Sequence, residues 1–194
     1  MPVLQNAFSN SGWTVAANIG SADAGDAYGG AAAWAPRSRR VQLAGGAAWL
    51  ARVGASDGIT WGARIMAPVP VLGGRDGAVG VAAFAGAGGA SAGDTLDLRV
   101  PVGATVGYRR ALSAHRAIAI YASPIVTWSR VTGGDVERAT STVFRYAIGL
   151  DVALTPVIGI TLGVESGSDP GAGRPGPRGN VYGIGLSYAL SRVP

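Results

Sequence analysis

Residues 144–167 read FRYAIGLDVALTPVIGITLGVESG, and large apolar side chains occupy almost every second position of this segment. The apolar positions are Phe144, Tyr146, Ile148, Leu150, Val152, Leu154, Ile158, Ile160, Leu162 and Val164. Small or charged residues lie between them, namely Arg145, Ala147, Gly149, Asp151, Ala153, Gly159, Thr161, Gly163 and Glu165. Alternation with a period of two indicates β-strands with two unlike faces. The segment therefore predicts two antiparallel strands joined by a tight turn at Thr155–Pro156.

The same alternation recurs along the whole chain, and no segment shows the period of an amphipathic helix. It predicts ten strands, at residues 12–20, 27–35, 40–53, 58–68, 78–88, 95–110, 116–131, 141–154, 157–166 and 180–190. Eight strands are the alternative, because the Gly- and Ala-rich runs of the first two specify little. We expect one all-β domain at 12–190, with an N-terminal tail at 1–11 and a C-terminal tail at 191–194.

The face opposite the apolar one decides what the apolar face contacts. A soluble sandwich or a lipocalin-like barrel would present that opposite face to water. Here it is mostly Gly and Ala, and only 14% of all residues are charged, against roughly 25% in ordinary soluble domains. Small residues suit the confined lumen of a small barrel. The sequence predicts a single up-and-down antiparallel transmembrane β-barrel, and a soluble lipocalin-like barrel that binds an apolar small molecule is the alternative.

Two further sets of residues support a membrane barrel. Aromatic residues on the apolar face lie mostly near strand ends, where girdles at the two headgroup layers are expected. These predicted interface residues are Trp13, Trp49, Trp61, Tyr108, Trp128, Tyr182 and Tyr188. The predicted lumen charges are Arg64, Asp97, Arg99, Arg145, Asp151 and Glu165. They would either pair across strands and seal the barrel, or line a narrow hydrated pore whose Arg residues favour anions.

The lengths of the connections agree with this topology. If the chain enters its first strand from the periplasm, the two longest links, at residues 132–140 and 166–179, lie on the outer side. Membrane barrels combine long outer loops with short periplasmic turns. The link at 69–77 is the exception, because it is long and would lie on the periplasmic side.

Several other classes of function are disfavoured by composition. The chain has no Cys and one His, His115, so we expect no metal and no cofactor. The formal charge is +5, but the Arg residues form no basic stripe with interleaved aromatics, which argues against nucleic acid as a partner. The longest apolar run, at 78–90, is shorter than the roughly 20 residues of a spanning helix. The first residues lack a charged start followed by an apolar run, so we expect no export signal within this chain.

The chain resembles the small, eight- to ten-stranded outer-membrane β-barrel proteins of Gram-negative bacteria, over residues 13–190. The most specific part is the closing strand VYGIGLSYAL at 181–190. In that family the last strand carries alternating hydrophobic and aromatic residues that the assembly machinery reads, and Gly183, Leu186, Tyr188 and Leu190 match this pattern. The chain departs from the family pattern at 191–194, where it ends on SRVP rather than on an aromatic residue.

The resemblance implies an outer-membrane location, a monomer, and contacts with outer-membrane lipid, lipopolysaccharide and the barrel-assembly machinery. Some barrels of this class are proteases or lipid A deacylases that use a His with an acidic or Ser partner. Here Ser113 and His115 lie in a predicted turn with no carboxylate nearby in sequence. We therefore expect a non-enzymatic barrel with a structural, adhesive or narrow-pore role, and a lipid- or peptide-hydrolysing barrel enzyme is an alternative.

Overall fold

The computed structural model describes residues 11–190 except 24, 37, 39, 53–55, 75–76, 134–137 and 172–174. The strands are β1 (Gly12–Ala22), β2 (Gly25–Ala35), β3 (Gln42–Arg52), β4 (Gly58–Gly73), β5 (Gly77–Ala92), β6 (Thr95–Ala111), β7 (Ala117–Thr132), β8 (Ala139–Ala153), β9 (Ile158–Gly167) and β10 (Val181–Ala189). The described part of the chain is all-β, so the predicted fold class and the count of ten strands are confirmed. No helix within it is long and apolar enough to cross a membrane. Both predicted tails lie outside the described residues, apart from Ser11.

Each strand pairs with its neighbours in sequence, and β1 pairs with β10 to close the sheet. Every pairing is antiparallel, so the predicted up-and-down barrel is confirmed. The links that follow odd-numbered strands therefore share one end, which we call the loop end. The links that follow even-numbered strands lie at the other end, the turn end, together with the start of β1 and the end of β10.

The expectation of a long link at 69–77 is wrong. Strand β4 continues to Gly73, and its register with β5 shifts between Pro70 and Leu72. Proline has no N–H for a sheet ladder and is tolerated at such irregularities. Pro70, two residues after Pro68, made this part of the strand look like a loop, and the link is a short turn after Gly73.

The outer surface of the barrel is apolar along its whole circumference. Ile19, Ile120, Ile148 and Leu186 are each about half exposed, as are the other large residues of the apolar face. A contiguous apolar belt of this extent is foreign to a soluble monomer and matches the lipid-facing surface of a transmembrane barrel. The soluble lipocalin-like alternative does not fit, because it requires this face to point inward.

The seven predicted interface aromatics all lie on this outer surface. Their exposed fractions run from 40% for Trp128 to 57% for Tyr182. Trp13 and Trp34 are paired neighbours close to the turn end, whereas Tyr28 and Trp49 are paired neighbours toward the loop end. Trp34 and Tyr28 were not among the predicted residues, although their alternation places them on the same face. Their role as anchors at two headgroup layers stays a prediction.

The interior contains more than small residues and charges. Met66, Phe84 and Ile125 point inward and form a buried cluster with Ala82 and Ala147. The expectation that Gly, Ala and a few charges make up the inner face is therefore incomplete. The period of two places these bulky residues correctly, because Phe84 lies two residues from the inward Ala82 and Ile125 lies two from the inward Ser123.

Tyr121 is a second bulky residue of the lumen, and it lies over glycines of the neighbouring strands. Its partner on β8 is Gly149, which pairs in turn with Gly163 on β9. A Cβ added at Gly149 would overlap the Tyr121 ring, and one at Gly163 would lie 3.4 Å from the Tyr121 hydroxyl oxygen. The two glycines therefore leave the space in which the buried ring packs.

Replacing Gly149 with Ala is expected to destabilise the barrel by roughly 1–3 kcal/mol, because the added methyl group displaces Tyr121 in a packed interior. The matched control is Gly30→Ala on the outer face, where the nearest heavy atom lies 3.5 Å from the added Cβ. The measurement is the free energy of unfolding in urea, with the protein folded into lipid vesicles. Equal stabilities for the two variants would contradict the packing described here.

All five tryptophans face outward, which makes intrinsic fluorescence a direct probe of the lipid-facing surface. In vesicles we expect lipids brominated close to the headgroup to quench the emission strongly, because the rings lie toward the two ends of the strands. Aqueous iodide should quench weakly. Iodide quenching as strong as that of free N-acetyltryptophanamide would mean that the apolar belt faces water.

Candidate functional site

The lumen is the candidate functional site, because it collects the charged side chains that the strands carry on their inner face. The six predicted lumen charges, Arg64, Asp97, Arg99, Arg145, Asp151 and Glu165, all occupy inward-facing positions of the barrel. The structure divides them into three groups at different heights, and each group has its own partners.

The group nearest the loop end is an ion pair within β6. The Arg99 guanidinium donates from Nε and from a terminal nitrogen to Asp97 Oδ2, at 3.0 and 2.6 Å. Arg99 keeps about a third of its side chain exposed, so its far side faces the open lumen. A pair of this kind is worth little in stability and keeps a local charge available to solutes.

Arg145 on β8 is the most deeply buried charge of the barrel wall, with no exposed surface. Its Nε donates to Glu165 on β9 at 2.7 Å. The remaining nitrogens turn toward the link between β9 and β10, where Gly179 O accepts a bond at 2.6 Å and Pro177 O one at 3.4 Å. Asp169 Oδ1 lies 3.8 Å away. A buried guanidinium is tolerated because these partners satisfy its donors.

The described residues of the link from β9 to β10, 168–171 and 175–180, therefore fold into the mouth of the barrel. We call this segment the β9–β10 loop. Pro170 and Pro175 are buried, and Ser141 on β8 donates a hydrogen bond to the Pro175 carbonyl. The sequence predicted a long outer loop here, and nothing in its composition indicated that it turns inward.

The third group lies around the middle of the barrel and toward the turn end. The Arg64 guanidinium lies 5.5 Å from the centre of the Phe84 ring, within the range of a cation–π contact. Thr161 on β9 donates a hydrogen bond to Asp151 on the adjacent β8. Tyr121 on β7 lies on the same inner face, beside Gly149 of β8.

Three cavities occupy the lumen. One of about 500 Å³ lies at the turn end and is lined by Arg109, Asp151 and Thr161. A second of about 460 Å³ lies at the loop end, between the β9–β10 loop and the glycine-rich wall of β10 and β1, and reaches down to the same Thr161. The third, of about 210 Å³, lies beside Arg64 and Phe84. Thr161 therefore borders both the turn-end and the loop-end cavity.

His115 lacks the surroundings of a catalytic base. It lies in the exposed turn between β6 and β7, where its backbone N–H donates to Ser113 Oγ at 3.3 Å. Nucleophilic catalysis requires a base that a third group orients, and among the described residues no carboxylate binds the His115 ring. The described residues also contain no group of His, Cys, Asp and Glu with the geometry of a metal site.

No protein-family model and no curated protein matches the chain, whereas solved structures do. LpxR from Salmonella typhimurium has a TM-score of 0.52 at 11% identity, covering 85% of this chain and 72% of LpxR. The KdgM porin has a TM-score of 0.42 at 10% identity, covering 92% and 99% of the two chains. The outer-membrane protease OmpT from Escherichia coli has a TM-score of 0.43 at 8% identity, covering 93% and 94%.

At sequence identities this low, the matches to these structures show similarity of fold and give no information about activity. The closed ten-stranded antiparallel barrel, its apolar exterior and the match to LpxR agree with the resemblance drawn from the closing strand. The chain has the fold of the small outer-membrane β-barrel proteins of Gram-negative bacteria.

Proposed function

We propose that the protein is embedded in an outer membrane, in contact with its lipid and lipopolysaccharide, and forms a narrow hydrated passage without catalysing a reaction. The apolar belt supports the membrane setting, and the match of the closing strand supports insertion by the barrel-assembly machinery. One observation carries the passage: Thr161 lines both the turn-end and the loop-end cavity. Both cavities therefore reach the same residue of β9, and a path that joins them would pass Thr161.

The charge of the lumen supports a preference for anions. Six arginines and four carboxylates line the cavities. The arginines are Arg52, Arg64, Arg99, Arg109, Arg116 and Arg178, and the carboxylates are Asp26, Asp97, Asp151 and Glu165. Rings or rows of Arg at a constriction favour anions because they replace part of the hydration shell of the ion. The proposed passage therefore conducts small anions better than cations.

A sealed barrel with a structural or adhesive role is the second candidate. The observation that favours it is the buried cluster of Met66, Phe84 and Ile125, which fills the β4–β8 side of the lumen. The two candidates differ in what the glycine-rich β9–β10–β1 side does, because only a passage requires it to contain water.

Conductance in planar lipid bilayers tests the passage. The wild-type protein is expected to carry a small single-channel current, and Thr161→Phe should abolish it because the ring fills the junction of the two cavities. The matched control is Leu162→Phe, one residue along β9, whose side chain is 43% exposed on the outer surface. A sealed barrel would give no current from any of the three proteins, and equal currents from all three would place the path elsewhere.

Reversal potentials in a salt gradient test the preference for anions. Arg109 lines the turn-end cavity, and Arg110 is the exposed next residue of β6. Arg109→Gln should lower the permeability ratio of chloride to potassium several-fold, whereas Arg110→Gln should leave it close to the wild-type value. Cation selectivity in the wild-type protein would refute the role given to the lumen cations.

A further inference from the structure

We propose that the outer face of β6 and β7 binds the phosphate groups of membrane lipids at both ends of the barrel, through Arg110 at the turn end and Arg130 at the loop end. This inference rests on the membrane setting proposed above and is independent of the passage. It identifies the headgroup chemistry that the outer surface of the barrel recognises.

The outer faces of β6–β10 carry very few charges. These five strands are described in full, and their outward positions hold two charged residues, Arg110 on β6 and Arg130 on β7. Both side chains are exposed, and neither has a hydrogen-bond or ion-pair partner among the described residues. A charge on the lipid face of a barrel is costly at the middle of the bilayer and tolerated near its interfaces. We therefore expect the two arginines to mark the edges of the hydrocarbon.

The register between β6 and β7 gives the distance between these two arginines. Arg110 pairs with Ile118, which lies 12 residues before Arg130 on β7. At about 3.3 Å per residue this is roughly 40 Å along the strand, and a tilt of about 40° reduces it to about 30 Å along the membrane normal. The apolar band of an outer-membrane barrel is about 25 Å tall. Both arginines therefore lie just beyond the hydrocarbon, at the level of the headgroups.

An aromatic residue lies two positions before each arginine on the same outer face. Tyr108 precedes Arg110, and Trp128 precedes Arg130. Tyr108 pairs with Ile120, 8 residues before Trp128, so the two aromatic residues are about 20 Å apart along the normal by the same geometry. The edges of a band about 25 Å tall fall between this distance and that of the arginines. Each aromatic residue therefore lies at an interface, where such rings are enriched, with a cation on its headgroup side.

The surroundings of Arg130 supply further donors for a phosphate group. Its register partner on β8 is Thr140, and Thr142 is the partner of Trp128. All four side chains are exposed on the outer face, so two hydroxyl groups and an indole N–H lie beside the guanidinium. Each of these groups donates hydrogen bonds, and phosphate oxygens accept them. The planar fork of a guanidinium also matches the geometry of a phosphate group.

Apolar side chains continue from these donors toward the middle of the membrane. Val126 and Phe144 form the next outward pair on β7 and β8, and both are about half exposed. Leu98 and Val100 lie outward on β6, beside Arg130 and its aromatic neighbour. A lipid whose phosphate contacts the donors lays its acyl chains on these apolar residues. A free phosphate ion would use only the donors, so the whole surface fits a lipid.

Thermal unfolding of the full chain in dodecyl maltoside micelles tests this site, because that detergent contains no phosphate. Added phosphatidylglycerol should raise the unfolding temperature of the wild type in a saturable manner, since a ligand that binds only the folded state stabilises it. A galactosyl diacylglycerol with the same acyl chains, and inorganic phosphate at the same concentration, should have little effect. A shift as large with either of these two compounds would overturn the proposed recognition of a lipid phosphate.

The first variants compare the outer and inner faces at one end of the barrel. Arg130→Gln should weaken the apparent affinity for phosphatidylglycerol several-fold, and adding Arg110→Gln should weaken it further. Arg52→Gln is the matched control, because Arg52 is an arginine that lines the loop-end cavity of the lumen. This control should keep the wild-type affinity, and a loss as large as that of Arg130→Gln would contradict a site on the outer face.

Thr140→Val distinguishes a defined site from general attraction between an anionic lipid and a basic protein, because it removes a donor without changing the charge. It should weaken the affinity by roughly two- to ten-fold, the contribution of one hydrogen bond. Equal affinities of the wild type, Arg130→Gln and Thr140→Val would overturn the phosphate site while leaving the membrane setting standing. A wild-type protein that is monodisperse in buffer without detergent would instead remove the membrane setting itself.

Discussion

Pairing of every backbone N–H and C=O without help from water is the constraint on which this structure depends. In a bilayer an open sheet edge has no partner, so a sheet crosses only when its first and last strands pair with each other. Here that seam joins β1 to β10 in a continuous register from Thr14↔Ala189 to Ala22↔Val181. The alternation of side chains, the apolar exterior and the confined lumen all follow from this closure, because a closed sheet has one face outside and the other inside.

A closed barrel encloses a lumen that side chains must fill, and in this protein the bulky side chains lie mainly on one side of it. Phe84 and Tyr121 lie on the β4–β8 side, and Phe84 covers Gly103 on β6 much as Tyr121 covers Gly149. The opposite side, from β9 across β10 to β1, carries the paired glycines Gly163, Gly183 and Gly20 at one level. The aromatic side confers packing and stability. The glycine side leaves room for the loop-end cavity of about 460 Å³.

Much of this arrangement could be predicted from a period of two. The period assigns Trp13 and Trp128 to the outside and Arg64 and Glu165 to the inside without any tertiary information. It also assigns Phe84 and Ile125 to the inside. The sequence analysis nevertheless predicted an inner face of Gly, Ala and a few charges, because small residues are usual in the lumen of a small barrel. The bonds between Arg145 and the β9–β10 loop could not be foreseen, since they join residues 32 and 34 apart in a segment without periodicity. Pro70 concealed the last part of β4 for a different reason, because proline is uncommon inside strands.

The strands differ in length, and this difference has a consequence for the surrounding bilayer. Strands β4–β8 have 15 to 17 residues, whereas β9, β10 and β1–β3 have 9 to 11. About 9–11 tilted residues suffice to cross a bilayer, so the short wall is a minimal span and the long wall projects beyond it. Lipid that matches the long wall is too thick for the short one. Where the bilayer matches the long wall, the membrane beside the seam thins or the barrel tilts, at a cost of a fraction of a kcal/mol per Å of mismatch. Because β9 and β10 also carry the loop in the mouth, we expect acyl-chain length to affect the wall that borders this loop.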